Sequence, residues 1–576
     1  MLRSTRSLVI LALLALTVAI WLPRLRGPID LRWDGGTYYV LGTALAQGKG
    51  YRLLNEPGEI QAVQYPPLLP AIVAVHQWVL RTSDPMVVGH WLRLVFFLMF
   101  MVYALASYAL FERFLPTGYA FVGVVVCLLH LFSMFLSELL FAELPFALVS
   151  VLFVLFSAKP GSRGHPILAA VCATLAYLLR TAGIALLIAW VGESVLRREF
   201  KRAALRGVTA MLPILGWQAY IAGVEASASY TTPAYPYQRA DYLFYNVSYA
   251  ANLSLRDPYR PELGKASLAD LGTRVVGNLA RLPRSLGEAV SAERAQWQRL
   301  LARLPGARGL AWERSGDTVT TVAVAFLGIL VLGGIAIQLA GPGRVGALYV
   351  LACIGAVCLT PWPLQWKRYW SPLAPFLVLA LLQCLLALRS YVWLAGPNPA
   401  RLVARMLLPA VVCVVLVVEV FTVLHAYRTI RGDVVLHDRQ GSPVQFSLFY
   451  YTGPDRELDE ALEWLRARAR PTDVVATAMP HWAHLVTGAK TVMPPFEADP
   501  QKAEILLDAV PVRYIVMDST DVDIAHLMRR STAEVLRAGS ARWTQIYTGP
   551  SGLVAVYERV TETRAGKKID IEKPSR

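Results

Sequence analysis

Apolar stretches of membrane-spanning length recur along this chain, and they limit its fold more than any other feature. A helix needs about 20 mostly apolar residues to cross a bilayer. Residues 8–22, 91–111, 118–136, 144–158, 205–223, 318–340, 345–362, 371–388 and 406–424 are such runs. Composition agrees: 55% of residues are hydrophobic and 17% charged, where a soluble domain carries about 25% charged residues. The formal net charge of +16 would suggest nucleic acid in a soluble protein. Here the Lys and Arg residues cluster in short loops between apolar runs, which is the pattern of membrane topology, and no nucleic-acid partner is expected. The six cysteines all lie in apolar runs, where they read as small core residues rather than disulfides or metal ligands.

Two segments need a physical argument. Residues 68–80 are too short to cross comfortably and contain Pro70, His76 and Gln77, so an interfacial helix fits better than a span. Residues 166–196 are too long for one span and are interrupted by Arg180. Basic loops flank that segment on both sides, through Lys159 and Arg163 and then Arg197, Arg198, Lys201, Arg202 and Arg206. Two basic short loops belong on the cytoplasmic side, so the segment crosses an even number of times with Arg180 at the outer turn. Arg3 and Arg6 precede the first run without a small-residue cleavage site, as in an uncleaved signal anchor. The expectation is a polytopic α-helical membrane protein of about eleven spans, N-terminus inside and C-terminus outside.

Three segments then lie outside: 24–67, 224–317 and the tail from residue 425. In the tail, DRELDEALEWLRARAR reads as helix, DVVATAM and VRYIVMDS as strands, and DIAHLMRRSTAEVLRA as helix. The expected organisation is a transmembrane module over 1–424, a small extracytoplasmic α/β domain over 425–560 and a polar tail over 561–576.

The chemistry is expected in the outer loops. RWDGGTYYVLGTALAQGKGY places Asp34 shortly after the first span, where a carboxylate can accept the proton of an acceptor hydroxyl, or can simply be a solvated loop residue. SELLFAELPFALV places Glu138 and Glu143 between two runs, either as interfacial residues facing water or as functional groups. PWPLQWKRYWSPLAPF places Lys367 and Arg368 outside, against the charge trend. They read either as snorkelling cations in an aromatic belt or as a clamp for phosphate oxygens. His481 and His484 have a spacing that metal sites use, but no further ligands complete such a site. No Gly-rich loop for a nucleotide sugar is present.

The ordered set Asp34, Tyr38, Tyr39, Gly48, Gly50, Tyr51, Pro66 and Pro67 resembles the first outer loop of GT-C fold glycosyltransferases. Those polytopic enzymes take sugars from polyprenyl- or dolichyl-phosphate and include protein O-mannosyltransferases and the lipid A aminoarabinose transferase. The resemblance implies catalytic roles for Asp34 and for an acidic residue of the second outer loop, Glu143 ahead of Glu138. It implies substrate-binding roles for Lys367, Arg368, Tyr369, Arg180, Tyr38, Tyr39 and Tyr65. It also implies an inverting displacement at the sugar, a lipid, glycan or protein acceptor, and a prokaryotic plasma (inner) membrane location. Cofactor need stays open: a divalent metal is possible, and Gly35 and Gly36 stand where the family more often has an acidic or bulky neighbour. A lipid-linked glycan ligase or polymerase, and a transporter or flippase, are the rival classes.

Overall fold

The computed structural model describes residues 2–157, 165–233, 235, 247–303, 310–395, 398–519, 525–539 and 541–560. The polar tail expected at 561–576 lies outside the described residues. Each apolar run is helical, and the chain is an integral membrane protein. Among the described residues six helices are long and apolar enough to cross a membrane: Thr5–Arg24, Pro85–Phe111, Phe200–Glu225, Gly316–Ala340, Pro363–Val392 and Arg405–Thr429. Thr117–Leu129 and Leu131–Glu138 add a seventh if counted as one span bent by 59°. The remaining runs form the shorter helices Glu143–Ser157, Pro166–Leu179, Thr181–Leu196 and Arg344–Leu359, so the expected eleven are not all of full length. Two of these shortfalls share a cause. Glu143 opens one short helix and Arg180 follows another, so helix length is given up where a charged group is placed.

Leu68–Leu80 forms the short helix expected at an interface. It buries Leu69, Val73 and Gln77 while Val75, Trp78 and Val79 are exposed. Its buried face lies on the Asp34–Ala46 helix, and Gly42 permits the contact: a Cβ there would stand 2.6 Å from Val73 Cβ.

The loop before Asp34 is fixed by buried charge. Asp30 N–H donates to the Glu138 carbonyl at 3.1 Å, and Leu140 N–H donates to the Asp30 carbonyl at 2.9 Å. Arg93 reaches the carbonyls of Arg24 (2.7 Å) and Arg26 (2.5 Å), and its guanidinium faces Glu138 at 3.6 Å. Glu138 also accepts from Phe449 N–H at 2.7 Å, which ties the helical bundle to the C-terminal domain. Buried groups of this kind persist only when paired and hydrogen-bonded.

The Asn398–Thr429 helix runs past the expected domain boundary at residue 424. The domain begins with the hairpin β1 (Gly432–His437) and β2 (Pro443–Leu448). A five-stranded sheet follows, from β3 (Val474–Thr477), β4 (Lys490–Val492), β5 (Val512–Asp518), β6 (Trp543–Thr548) and β7 (Val554–Arg559). Its order is β4-β3-β5-β7-β6; β3 runs parallel to β4 and β5, and β7 antiparallel to β5 and β6. Helices Gly453–Arg466, Pro480–Thr487, Pro500–Ala509 and Ala525–Ala538 complete an α/β domain. Helix Gly453–Arg466 starts in a capping box of Thr452 and Asp455.

This domain is docked on the first loop. Thr491 N–H donates to the Asn55 carbonyl at 2.8 Å, and Lys490 Nζ donates to the Leu54 carbonyl at 2.7 Å. Arg32 pairs with Asp30 at 2.7 Å and with Asp455 at 2.8 Å, and donates to the Tyr450 carbonyl. Asp459 completes the cluster, accepting from Tyr451 Oη (3.0 Å) and Trp482 Nε1 (2.8 Å). At Gly36 a Cβ would lie 2.9 Å from His481 Cβ, 3.0 Å from the Leu31 carbonyl oxygen and 3.1 Å from Trp482 N. The glycine therefore lets the Asp34–Ala46 helix touch the backbone of the domain.

Two outcomes are expected. Gly36→Ala should destabilise the docked domain by about 1–3 kcal/mol through overpacking, seen as a lower Tm and faster proteolysis of the C-terminal domain. Burial pushes the Asp459 carboxyl up to about 7 against the pull of Arg32 and its two donors. A raised value adds stability that is complete below the unfolded carboxylate range and is lost as pH rises through about 7. Detergent-purified protein should therefore melt lower at about pH 8.5 than at about pH 5.5, and Asp459→Asn should remove that difference.

Candidate functional site

Four charged residues reach one end of the helical bundle, each placed by a break in regular structure. Trp33 has φ 60°, a left-handed conformation costly for a tryptophan, and it turns the chain so that Asp34 opens the next helix. Glu143 opens helix Glu143–Ser157. Both carboxylates thus stand in a first helical turn, where free N–H groups and the helix dipole favour negative charge. Arg180 is extended between the Pro166–Leu179 helix and a single 3-10 turn at Thr181–Gly183. Arg368 sits in the short helix Trp366–Trp370, between Pro363 and Pro372.

These residues form one ionic group. Arg368 Nη2 pairs with Asp34 Oδ2 at 2.7 Å. Arg368 Nε donates to Glu143 Oε1, and Arg180 Nη1 forms an ion pair with the same oxygen. The Arg368 guanidinium lies over the Phe141 ring, 4.4 Å from its centroid. Glu143 is 1% exposed, whereas the side chains of Arg180 and Arg368 are 16% and 19% exposed. The anion is the buried hub and the cations are the accessible part. Two positive and two negative charges balance, so a bound anion would upset that balance unless it replaced a carboxylate at an arginine.

A cavity of about 640 Å³ opens beside the group, and Asp34, Arg180 and Arg368 line it. Trp33, Tyr38, Tyr65, Phe141, Tyr249 and Tyr369 give it aromatic walls. Tyr38 and Tyr65 pack edge to face at 5.1 Å, and Tyr369 Oη donates to Gln365 Oε1 at 3.0 Å. Burial and the charges of Asp34 and Glu143 push the Tyr38 hydroxyl well above its ordinary range, so it stays a hydrogen-bond donor. Ala478 and Met479 of the C-terminal domain also line the cavity. Domain docking therefore closes one wall.

Other expected site residues point elsewhere. Glu138 lies outside the cavity lining, because the bridge between Asp30 and Leu139 turns it toward Arg93 and Phe449. Tyr39 is next to Tyr38 but about 100° further around its helix; its hydroxyl donates to the Ser83 carbonyl at 3.1 Å. Lys367 pairs with Glu293 at 3.1 Å and lies over the lining residue Phe132, without itself lining the cavity. These three lie apart from the ionic group and are not among the cavity-lining residues.

The described residues of the site are not arranged to hold a metal ion. Among the described residues no group of three or more His, Cys, Asp and Glu is arranged to hold one. Asp34 and Glu143 each pair with arginine through one carboxylate oxygen, and the adjacent guanidinium charge opposes a cation there. His481 Nδ1 lies 3.0 Å from Thr37 Oγ1, and burial lowers the imidazole to about 3, so it is a neutral docking residue. His484 Nδ1 contacts the Ala489 carbonyl at 2.7 Å.

Sequence reasoning passed over the helix Phe200–Glu225, whose Trp217, Gln218, Ile221 and Glu225 line the cavity. The signal was the spacing of Trp217, Ile221 and Glu225, which puts them on one helical face at the end of a span.

No family model matches the chain, and no curated protein matches it by sequence. Solved structures do. The oligosaccharyltransferase of Archaeoglobus fulgidus, in a complex with Zn and sulfate, aligns at 14% identity with a TM-score of 0.51. That alignment covers 96% of this chain and 73% of the other. The same archaeal enzyme, AglB, with an inhibitory peptide and a dolichol-phosphate, aligns at 14% identity and TM-score 0.51 over 96% and 74%. ArnT from Cupriavidus metallidurans in the apo state aligns at 13% identity and TM-score 0.50 over 98% and 100%.

The shared use of Glu143 yields a thermodynamic expectation. Glu143→Ala leaves two arginines without their common anion, a loss of about 3–5 kcal/mol for a broken buried pair. A double-mutant cycle of Glu143→Ala with Arg180→Ala, read by unfolding in detergent, should show coupling of about 0.5–3 kcal/mol, whereas independent residues would add.

Proposed function

Because the chain has the GT-C fold of these membrane transferases, we propose that it transfers a sugar from a polyprenyl-phosphate donor to an acceptor hydroxyl. The observation that carries this reading is the meeting of Asp34, Glu143, Arg180 and Arg368 at one aromatic-walled cavity. Basic loops toward the opposite end of the bundle support an extracytoplasmic location for this site. The related archaeal oligosaccharyltransferase structure with a dolichol-phosphate supports a lipid-phosphate donor.

The donor phosphate binds at Arg368 and Arg180, whose planar forks match its oxygens. In taking Arg368, it displaces the pairing with Asp34. Asp34 pairs through Oδ2, and Oδ1 has no hydrogen-bond partner among the described residues. The freed carboxylate accepts the proton of the acceptor hydroxyl as its oxygen attacks the anomeric carbon. The bond from that carbon to the phosphate oxygen breaks, and the electron pair leaves with the polyprenyl phosphate. Negative charge grows on the phosphate as the sugar departs, beside two fixed cations, which favours the transition state over the ground state. Glu143 touches neither substrate; it is a positioning residue that holds the arginines side by side. Attack from the face opposite the leaving phosphate inverts the anomeric centre, as the family resemblance implies.

The test is transfer of radiolabelled sugar from membrane-extracted polyprenyl-phosphate sugars. Asp34→Asn should lower transfer by at least about 10²-fold with the fold intact, the usual loss of a general base. Arg368→Lys keeps the charge but loses the fork and should also lower transfer. Equal transfer by wild type and Asp34→Asn would remove Asp34 as the base.

A further inference from the structure

The cavity is lined by more than the ionic group. The last part of the Phe200–Glu225 helix also contributes Trp217, Gln218, Ile221 and Glu225 to its lining. Asp34 and Glu143 are engaged by arginines. Glu225 is different: it is a partly buried carboxylate lining the cavity with no ion-pair partner among the described residues. In a chain of net charge +16, no cation among the described residues is paired with this cavity carboxylate.

Trp217 adds an independent observation. Its ring is 6% exposed, stacked on Tyr220 at 5.1 Å and edge-on to Tyr51 at 6.1 Å, so its orientation is fixed. The face therefore offers an acceptor-only carboxylate, an amide that both donates and accepts, and a rigid aromatic plane. That combination matches a pyranose or furanose ring, with hydroxyl or amino substituents at its edge and apolar C–H groups on its face.

We propose that Trp217, Gln218 and Glu225 form a glycosyl subsite, with Glu225 selecting sugars by the hydroxyl or amino hydrogens they donate. The inference rests on the transferase reading and extends it from the phosphate to the sugar. Glu225 is a specificity residue and takes no part in bond making. The sugar it reads belongs either to the donor or to the acceptor, and the two differ in which binding step suffers.

The test compares binding of two probes through the fluorescence of the cavity tryptophans: undecaprenyl phosphate, and membrane-extracted polyprenyl-phosphate sugars. Wild type should bind the sugar-bearing lipid more tightly than undecaprenyl phosphate. If the subsite holds the donor sugar, Glu225→Ala should erase that difference, by about tenfold or more, and leave undecaprenyl phosphate binding unchanged. Glu225→Gln, which keeps an acceptor oxygen, should retain part of it. If the subsite holds an acceptor sugar, the difference survives and the acceptor KM rises about tenfold in the transfer assay. Unchanged donor binding together with unchanged transfer kinetics in Glu225→Ala overturns the proposal. Equal loss of both lipids would also overturn it, by showing a general collapse of the cavity. Arg368→Ala separates the two readings: if it leaves undecaprenyl phosphate binding intact, the phosphate assignment fails, whatever Glu225 does.

Discussion

A single carboxylate oxygen that pairs with two arginines organises this protein's cavity. Glu143 Oε1 takes Arg180 and Arg368 together, and Arg368 extends to Asp34. Two guanidinium groups repel each other, so they stay adjacent only with an anion between them. Burial strengthens both the repulsion and the attraction. The surrounding breaks in helix follow from this requirement. The Trp33 turn, the start of the helix at Glu143, the extended Arg180 and the proline-flanked helix at Arg368 each bring one charge to a common point. Arranging two cations around a buried anion leaves their outer edges free to meet a phosphate, while the balanced charge keeps the empty cavity stable.

A second buried network supports the first. Arg93, Glu138 and Asp30 hold the chain just before Asp34, and Arg32 joins that chain to Asp455 of the C-terminal domain. The domain thus grips the segment that carries the proposed base, and it supplies Ala478 and Met479 to the cavity wall. Gly35 and Gly36, which depart from the pattern of similar enzymes, have a local reason. A Cβ on Gly36 would meet His481 and the Leu31 carbonyl, and one on Gly35 would lie 3.1 Å from the Asp30 carbonyl oxygen. At Gly36 a small residue takes the place of an acidic neighbour and permits direct contact between the domain and the helix that carries Asp34.

Much of this was legible because charge inside or beside an apolar run is expensive and therefore informative. Arg180 interrupts a long apolar segment, and Arg368 stands in an aromatic stretch against the charge trend, so both stood out in the sequence. The α/β pattern of the tail was visible in its alternating periods, and its two strongest strand segments are β3 and β5. The choice between Glu138 and Glu143 was not legible in the same way. They lie close in the chain, and their separation depends on the backbone bridge between Asp30 and Leu139, a contact between distant segments. Lys367 and Arg368 are chain neighbours whose side chains leave a short helix in different directions, one to Glu293 and one to the cavity. Glu225 was missed because a lone carboxylate at the end of a span normally just faces water; only the cavity distinguishes it. Most expected spans are shorter than their helices, as 91–111 is than Pro85–Phe111 and 205–223 than Phe200–Glu225. Hydropathy does not register the polar turns that extend a helix past its apolar run.

The most direct examination of the central claim is the structure of the protein bound to undecaprenyl phosphate, determined by cryo-electron microscopy. The phosphate oxygens are expected within about 3 Å of the guanidinium groups of Arg368 and Arg180, with Asp34 released from Arg368. A phosphate bound elsewhere, with the pairing of Arg368 and Asp34 undisturbed, would contradict it.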